Sequence, residues 1–560
     1  MTLSCVLLFL AFLVFAVWLS QTMARSRSIP LPPGPQGDIL FGVKGSLPRS
    51  EPWKTYFQWS KLYQSPLISF RVYNKHIMIL NDATSVHELL ERRAHIHSDR
   101  PKAWMYHDIC DRKKSVFNTS SLDPRHRQYR RLLHQGIGPR ATVDYWPVLQ
   151  DEVATLISGL EADPNRFEQH FRRSAAGVIM KMAYGYTVTE DDPFIKVAEE
   201  GAKISGWATA PGRWLVDYYP ILRFIPSFFP GAGWKRQGEA WRERLRNISD
   251  VTHQWAKERI ASGSYVESFT SRLLRPDGVN FVDPEEEDII KWCAGGLYAG
   301  AADTTVSALI SFLLLMALYP DVQQKAQAEI DEMLGDGDKS AMPHPSKLDC
   351  LTYLNAVLKE VLRYAPIANL ALPHRASEED VYNGYLIPKD TTIVANVWAI
   401  MHDETLYPDP FLFLPERHMG LPNTGRAGAG IGIGVAQPPP KARESVSATV
   451  TNNINIITTG NGNESGVNGI EASLENLGSV NKIQPDPRSF AFGFGRRTCP
   501  GVHFAETTML LTMACILARF DVSLPPGISK PEVEFTTGIT SHIKAFNVNI
   551  VPRSAVPGRS

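Results

Sequence analysis

The stretch FGFGRRTCPG, residues 492–501, is the most informative part of this sequence. Its glycines permit backbone turns that other residues avoid, and they allow close approach to a large flat ligand. Cys499 stands just before a helical stretch, where a helix N-terminus and neighbouring arginines favour the thiolate over the thiol. Backbone N–H groups can donate to such a sulfur and tune a metal bound to it. Arg497 supplies a cation for a carboxylate. The stretch therefore indicates a metal-binding thiolate rather than a free cysteine in a glycine-rich turn.

Two further motifs precede it in the chain. Glu360 and Arg363 are three residues apart, so they lie on one helix face and can pair, although such pairs alone are common and weak. The segment 299–305, AGAADTT, places small residues where a ligand could approach a long helix. Asp303 and Thr304 then offer an acid and a hydroxyl for proton transfer. The alternative for this segment is a helix–helix contact made by small residues.

Together these motifs resemble the cytochrome P450 superfamily. The haem-loop pattern FxxGxRxCxG is matched by five residues, Phe492, Gly495, Arg497, Cys499 and Gly501. The resemblance implies a haem b cofactor with Cys499 as the axial ligand of its iron, and the thiolate would favour O–O cleavage.

The resemblance also implies four haem contacts outside this loop. Segment 123–131 resembles the helix whose WxxxR motif contacts haem, with Arg130 at the Arg position and His126 in place of Trp. The pair His374-Arg375 resembles the strand whose Arg reaches a haem propionate.

A structural network is implied as well. Segment 413–418, FLPERH, is similar to the family's PERF segment, and Arg417 would join Glu360 and Arg363 in a network that braces the haem-side core. His418 replaces the usual Phe, which changes the local packing.

The function implied by the resemblance is that of a monooxygenase. It would oxidise an apolar small molecule with O2 and electrons from NADPH, delivered by NADPH–cytochrome P450 reductase and in some reactions by cytochrome b5. No GxGxxG or flavin motif is evident, so the reductase must be another chain. Segments 303–307, 490–501 and 536–542 resemble fungal secondary-metabolism enzymes of the O-methylsterigmatocystin oxidoreductase type. The expected substrate is a terpenoid, polyketide or fatty molecule.

Substrate-facing walls are expected by the same resemblance. They should come from residues 104–118, 293–304, 367–372 and 536–541, with an apolar lining from Trp104, Phe117, Ile367, Leu370 and Ile539.

Three other functions remain as alternatives. An oxygen-independent haem-thiolate isomerase or dehydratase would need no proton relay, so Asp303 and Thr304 argue against it. A haem-binding electron carrier or sensor would have a crowded ligand side, which the small residues 300–302 argue against. A membrane-anchored scaffold with an accidental cysteine would bind no coloured cofactor.

The composition is globular and electrically balanced. The 560 residues include 58 Lys and Arg against 58 Asp and Glu, and 44% are hydrophobic. A net charge of zero argues against a nucleic-acid binder, which needs a basic surplus. The scattered cysteines form no CxxC pair, so a disulfide scaffold and a zinc ribbon are both disfavoured; they are Cys5, Cys110, Cys293, Cys350, Cys499 and Cys515.

The N-terminus predicts a single-pass membrane anchor at residues 3–20. Residues 3–19 carry no charge and approach the minimum length for spanning a bilayer. Arg25 and Arg27 follow, so the rest of the chain should face the cytosol, at the endoplasmic reticulum membrane. A cleaved signal peptide, the alternative, would need a basic start. Residues 27–36 form a stiff Pro-rich hinge.

The expected fold is mainly α, a cytochrome P450 fold with a large helical domain and a smaller β-rich part. The haem-thiolate domain should span residues 37–553. An insertion at 421–484, rich in Gly, Asn, Ser, Thr and Ala, interrupts it; its composition indicates a disordered loop, and an intron translated in frame would look the same.

Local patterns predict the individual elements. The clearest helix has Asp283 as its N-cap and ends before Pro320. A second helix is expected over 351–365. Hairpins are expected with turns at Asn74-Lys75 and at Asn383-Gly384, and a further strand at 391–396.

An aromatic segment and a group of basic residues can each be interpreted in two ways. Residues 214–230 combine aromatics and prolines, as a buried loop or a membrane-dipping patch would. The basic residues near 123–140 fit a solvated helix face or a docking surface for an acidic reductase; they are Arg125, Arg127, Arg131 and Arg140.

Overall fold

Helices account for most of the chain that the structure describes. A computed structural model describes residues 29–189, 191–276, 278, 280–335, 342–420 and 484–553. The predicted anchor at 3–20 lies outside these residues, as do the start of the 27–36 hinge and the insertion 421–484 apart from its last residue. The described residues other than 484 and 485 belong to one compact unit.

The α-helices of the described chain, in order, are α1 Pro52–Leu62, α2 Ala83–Val86, α3 Ala94–His97, α4 Pro124–Ile137, α5 Pro139–Asp144, α6 Trp146–Ala162, α7 Phe167–Tyr184, α8 Pro193–Ala208, α9 Leu215–Tyr218, α10 Gly233–Ala261, α11 Phe269–Leu274, α12 Pro284–Leu318, α13 Pro320–Leu334, α14 Thr352–Tyr364, α15 Val397–Met401, α16 Arg488–Ala491 and α17 Val502–Arg519. Short 3-10 or π turns lie between them at Lys44–Ser46, His87–Arg92, Met105–Ile109, Pro164–Arg166, Pro220–Phe224, Pro345–Cys350, Pro415–His418 and Gly495–Arg497.

The strands are β1 Leu67–Val72, β2 Lys75–Leu80, β3 His374–Arg375, β4 Asp380–Tyr382, β5 Tyr385–Ile387, β6 Thr392–Ala395, β7 Phe520–Ser523 and β8 Asn549–Pro552. They form a four-stranded sheet in the order β1-β2-β6-β3 and two small antiparallel pairs, β4-β5 and β7-β8. In the larger sheet only β2 and β6 run parallel.

The predicted elements are largely confirmed. The first hairpin turns at Tyr73 and Asn74, one residue earlier than predicted, because Val72 pairs with Lys75. The Asn383-Gly384 turn is present, with positive φ angles of 49° and 76° at its two residues.

The longest helix, α12, begins and ends where the sequence predicts. The Asp283 carboxylate accepts hydrogen bonds from the backbone N–H groups of Glu285 and Glu286, at 2.9 and 3.1 Å. Pro320 begins the next helix, so α12 ends at Leu318. Among the described residues, α12 is the one helix long and apolar enough to cross a bilayer, but 72% of its most apolar window is buried inside the protein. Its apolarity therefore suits a core helix, and α12 packs against α4, α7, α10, α11, α14 and α17.

The Pro-rich segment from residue 29 lies along the sheets. Pro33 O accepts a hydrogen bond from Ser69 N at 2.9 Å, and Pro30 O accepts one from Leu386 N at 2.8 Å. A Cβ atom at Gly34 would lie 2.0 Å from Ser69 O, so only glycine permits this close approach.

The aromatic segment 214–230 divides into a buried part and an exposed part. Residues 216–218 are buried, whereas Phe228 is 84% exposed. We define the outer apolar patch by its exposed members Ile39, Leu40, Phe41, Tyr219, Ile221, Phe224, Phe228 and Phe229. Tyr73 joins its two halves, because its ring lies 5.8 Å from that of Phe41 and 6.1 Å from that of Tyr219.

A buried carboxylate in this segment predicts a pH-dependent stability. Asp217 accepts a hydrogen bond from Met105 N at 2.8 Å, and burial raises the pKa of Asp217 to about 6. The folded state therefore holds this proton more tightly than the unfolded state, and stability is lost as pH rises from about 4 to 6. We expect Asp217→Asn to remove this loss, so that the variant gains about 3 kcal/mol relative to the wild type between pH 4 and 7.

Denaturant unfolding at several pH values would measure this difference. Asp163→Asn is the control, since Asp163 is a half-buried helix-start carboxylate whose side chain accepts from Asn165 N. A stability difference between the Asp217 variant and the wild type that does not change with pH would contradict the prediction.

Candidate active site

The loop before α17 has the backbone that its glycines require. Cys499 N donates to Phe492 O at 2.8 Å and closes the loop. Gly495 has a φ of +54°, and a Cβ atom there would lie 2.3 Å from Leu90 O. A side chain at this position would therefore push the loop away from the segment that contains Leu90.

The Cys499 thiol is exposed although protein groups surround it. Burial raises the pKa of this thiol, whereas a hydrogen bond from Gly501 N–H and the charge of Arg130 act in the opposite direction. A metal cation bound to the sulfur would lower the pKa of the thiol and favour the thiolate, because a coordinating thiol is deprotonated. Gly501 is also tightly packed, since a Cβ atom there would lie 3.3 Å from Ile137.

Three arginines converge near this loop, and each donates to backbone carbonyls. Arg130 Nη1 donates to Thr498 O at 2.6 Å, and Arg497 Nε donates to Ser98 O at 2.9 Å. Arg100 Nη1 donates to Pro373 O, also at 2.6 Å. His126 lies one helical turn before Arg130 on α4, so both face the loop.

The electrostatics show that these cations crowd one another. Burial and the charge of Arg497 lower the pKa of Arg100 to about 9, and burial lowers the pKa of Arg497 to about 10. Burial and the same arginines lower the pKa values of His126 and His374 to about 4 and about 3.

This basic cluster, comprising Arg100, His126, Arg130, His374 and Arg497, has a surplus of positive charge. Among the described residues, Asp99 is the carboxylate that favours the charged forms of Arg100 and Arg497, and Arg375 binds it. Buried cations are costly unless anions match them. A ligand with two carboxylates would supply the missing charge, and the residues therefore fit a haem b whose iron binds Cys499. The donor chemistry is that of a haem-thiolate protein.

Arg375 lies outside the basic cluster in the structure, and its predicted contact with a haem propionate stays a prediction. Its guanidinium binds Asp99 and, at 2.5 Å, Asp390. Neighbouring side chains on a strand point to opposite faces, so His374 faces the cluster and Arg375 faces away from it. His374 and Arg100 are therefore the residues that would hold a carboxylate of the cofactor from this side. Arg100 was missed by the sequence reasoning, since nothing local distinguishes it from other arginines such as Arg93.

The brace predicted around Glu360 is present and fully buried. Arg363 donates to both Glu360 oxygens, at 2.8 and 2.9 Å, and Arg417 Nε donates to Oε1 at 3.1 Å. Burial alone would raise the pKa of Glu360, but hydrogen bonds from His418 and Arg363 hold it at about 2.

His418 is a fourth member of this network, which the sequence did not reveal. Its Nε2 lies 2.8 Å from Glu360 Oε2, and because a carboxylate only accepts, Nε2 is the donor. Burial lowers the pKa of His418 despite the neighbouring carboxylate, so the neutral imidazole fills the position. The departure from the usual Phe thus adds a hydrogen bond.

On α12 the two proposed proton-transfer residues point to different partners. Thr304 Oγ1 donates to Gly300 O at 2.9 Å, one turn earlier in the helix. Asp303 Oδ2 lies 3.1 Å from His542 Nε2, and Oδ1 lies 3.4 Å from Arg172 Nη1. Burial acts to raise the pKa of Asp303, but His542 and Arg172 lower it below its usual value, so Asp303 is a carboxylate.

Of the expected substrate-lining residues, Phe117 is placed against the small-residue part of α12. Its ring would lie 3.3 Å from a Cβ atom at Gly300. Arg100 Nε donates to Phe117 O at 3.2 Å and holds this segment. Trp104 instead faces the guanidinium of Arg223, 4.2 Å from its ring centre, and Ile539 is 56% exposed.

Comparison with known proteins gives the same class. The cytochrome P450 family model matches residues 32–423 and 474–550, and the chain belongs to this family. Cytochrome P450 monooxygenase 208 of Postia placenta is 33% identical over 97% of this chain and 94% of its own length. Cytochrome P450 monooxygenase claR of Ampulloclitocybe clavipes is 32% identical over 94% and 88%. Tryptamine 4-monooxygenase of Psilocybe cyanescens is 31% identical over 95% and 94%. The chain is thus a fungal-type P450 monooxygenase, as the motifs predicted.

Proposed function

We propose that the protein oxidises an apolar small molecule with O2, using electrons from NADPH delivered by a separate reductase, in secondary metabolism. The observation that carries this proposal is the accessible Cys499 thiol beside the basic cluster. Haem bound there supplies oxygen-activating redox chemistry. A terpenoid or polyketide substrate is consistent with the apolar wall at Phe117 and with the secondary-metabolism relatives.

Different residues of the chain would bind the cofactor and transfer protons. Arg100, Arg130 and Arg497 would neutralise the carboxylates of a bound haem, and Gly501 N–H donates to the Cys499 sulfur. Thr304 carries a hydroxyl on α12, and the carboxylate of the preceding residue, Asp303, contacts His542.

Co-expression of the full chain with a fungal reductase tests the proposal directly. Candidate apolar substrates should change the haem absorption on binding, and turnover under ¹⁸O2 should place one labelled oxygen atom in the product. Product formation that continues without O2 would instead support the isomerase alternative.

Removal of the Thr304 hydroxyl should uncouple NADPH oxidation from product formation. We expect Thr304→Ala to bind haem and substrate normally but to release hydrogen peroxide, lowering product per NADPH on the order of 10²-fold, because proton delivery fails. Thr305→Ala is the control, since Thr305 is buried next to it on the same helix. Equal product per NADPH in the Thr304 variant and the wild type would favour a packing role for Thr304.

The proposed reductase contact lies on α4 and the helix after it. Arg127, Arg131 and Arg140 are exposed, whereas Arg125 is half-buried and binds Asp288. An acidic reductase or cytochrome b5 would be steered to the exposed three, since opposite charges accelerate docking.

The proposed location is the endoplasmic reticulum membrane, with residues 3–20 as a single-pass anchor and the outer apolar patch resting on the cytosolic face. Large exposed apolar side chains in neighbouring segments are characteristic of membrane or protein contact, and the patch includes Ile39 to Phe41, close in sequence to the first described residues.

This location predicts residual membrane binding without the anchor. We expect a chain that begins at residue 27 to sediment in part with vesicles, and Phe224→Asp with Phe228→Asp to release it, because charges there oppose insertion of the patch. Val143→Asp, a change at another exposed apolar residue, should have no effect. Undiminished sedimentation of the double variant would contradict the membrane contact.

A further inference from the structure

The thiolate loop, residues 492–501, is held from outside by one other segment of the chain. Gly495 N donates to Oε1 of Glu91 at 2.8 Å. Two residues further along the loop, Arg497 Nε donates to Ser98 O at 2.9 Å. The 3-10 turn inside the loop is therefore attached at both of its ends to the segment that precedes α4.

Gly495 and the π turn that carries Glu91 are matched in shape. A Cβ atom at Gly495 would lie 2.3 Å from Leu90 O and 2.9 Å from the Cβ atom of Ala94. The missing side chain therefore lets the backbone of the loop approach this turn, and the approach brings the Gly495 N–H within reach of the Glu91 carboxylate. The glycine and the carboxylate belong to one contact.

The turn that carries Glu91 is itself anchored to β4. Arg93, which follows the turn, donates through Nε to Glu88 Oε1 at 3.0 Å and through Nη1 to both oxygens of Asp380, at 2.9 and 3.0 Å. Arg93 Nη1 also donates to Val381 O at 3.0 Å. Because Asp380 and Val381 belong to β4, Glu91 has a fixed support, and its carboxylate can hold the loop rather than move with it.

We propose that Glu91 is a positioning residue that fixes the thiolate loop and so keeps Cys499 in place to bind the haem iron. The inference rests on the cofactor site within the proposed function, and not on the oxygen chemistry. Gly501 N–H and the charge of Arg130 are the groups that favour the thiolate form, and their distances to the sulfur depend on the shape of the loop. The effect of Glu91 on the sulfur passes through the backbone of residues 495–499.

The contact predicts that a hydrogen-bond acceptor is needed at position 91. Glutamine at this position keeps an acceptor oxygen of the same reach, whereas leucine is of similar size and has no acceptor. Because Glu91 is half-buried, the NH2 group of the glutamine can face water. Comparison of Glu91→Gln with Glu91→Leu therefore separates the hydrogen bond from the negative charge.

The test uses the haem-loaded full chain, with Glu329→Leu as the control. Glu329 is also a half-buried glutamate that accepts from a backbone N–H, that of Tyr353 at 2.7 Å, but it lies on α13. We expect Glu91→Leu to lose the thiolate absorption of the reduced, carbon-monoxide-bound protein roughly tenfold faster than the wild type, because one hydrogen bond to a charged acceptor is lost. Glu91→Gln should lose it within about threefold of the wild-type rate. Glu329→Leu should lower the thermal unfolding midpoint and leave this rate unchanged.

Amide hydrogen exchange, measured by mass spectrometry, tests the contact without reference to the absorption. A peptide that includes Gly495 should exchange faster in Glu91→Leu and stay protected in Glu91→Gln, because the N–H loses its acceptor only in the first variant. Unchanged exchange in Glu91→Leu would overturn the proposal, and so would equal rates of thiolate loss in Glu91→Leu and Glu329→Leu. Glu91→Gln that behaves as Glu91→Leu in both measurements would overturn the hydrogen bond as the cause. A wild-type chain that binds haem without any thiolate absorption would instead overturn the cofactor site on which the inference rests.

Discussion

Replacing Cys499 with serine is expected to abolish the thiolate-type absorption of the reduced, carbon-monoxide-bound protein. A serine hydroxyl is far less acidic than a thiol and does not give the anionic sulfur ligand on which that absorption depends. The thiol is exposed, accepts a hydrogen bond from Gly501 N–H and lies close enough to Arg130 to feel its charge. Oxygen-dependent turnover should be lost together with the absorption.

A matched control is available on the same chain. Cys350 is also an exposed free cysteine, and it ends a 3-10 turn outside the haem-loop pattern. Cys350→Ser should keep the thiolate band and full activity. Circular dichroism and haem content would separate loss of the ligand from loss of the fold. A thiolate band retained in folded Cys499→Ser protein would show that another residue binds the iron.

The parts of the site that the sequence predicted are those set by local geometry. Cys499 and its glycines act within one ten-residue loop, and Glu360 and Arg363 act within one turn of α14. Spacing along a helix or within a tight turn fixes such neighbours, whatever the rest of the chain does.

The direction of side chains on β3 could not be predicted in the same way. Because β3 has only two residues, which of them faces the basic cluster depends on pairing with β6, where His374 lies opposite Ile393. A shift of one residue would exchange the faces. The sequence predicts a haem contact for both His374 and Arg375; the register of β3 brings His374 to the basic cluster, whereas Arg375 binds Asp99 and Asp390.

The histidines that bind the site carboxylates from distant parts of the chain could not be predicted either. His418 reaches Glu360 across 58 residues, and His542 reaches Asp303 across 239 residues. Such contacts depend on how distant segments pack, and a single sequence carries no signal for them. The sequence could name the carboxylates but not the imidazoles that bind them.

The second large effect is expected from Glu360→Gln, which should lower the free energy of unfolding by about 3–5 kcal/mol. Glu360 is completely buried, and Oε2 accepts hydrogen bonds from both Arg363 Nε and His418 Nε2. An amide has only one acceptor oxygen, so its NH2 group would face donors on the other side. Arg363 would also remain buried without a carboxylate, which is the costly way to break a buried ion pair.

The pH dependence provides an independent check of that magnitude. The pKa of Glu360 is about 2 in the folded protein, below its ordinary value near 4.5, so its stabilising effect is complete above about pH 4.5. This stabilisation is lost as the pH falls towards 2. The difference between the folded and the ordinary pKa of Glu360 corresponds to about 3 kcal/mol of unfolding free energy. The stability gap between wild type and Glu360→Gln should therefore be widest near neutral pH and narrow in acid.

Glu416→Gln separates this mechanism from a general loss of negative charge in the same segment. Glu416 is about 45% exposed and pairs with Lys325 at 2.6 Å, so its removal should cost at most about 1 kcal/mol. Denaturant unfolding of both variants and the wild type at pH 7 and pH 4 measures both effects. Two results would contradict the prediction: equal losses of unfolding free energy in the two variants, or a stability difference between wild type and Glu360→Gln that is the same at pH 7 and pH 4. Either would mean that the charge of Glu360 does not stabilise the buried Arg363 and Arg417.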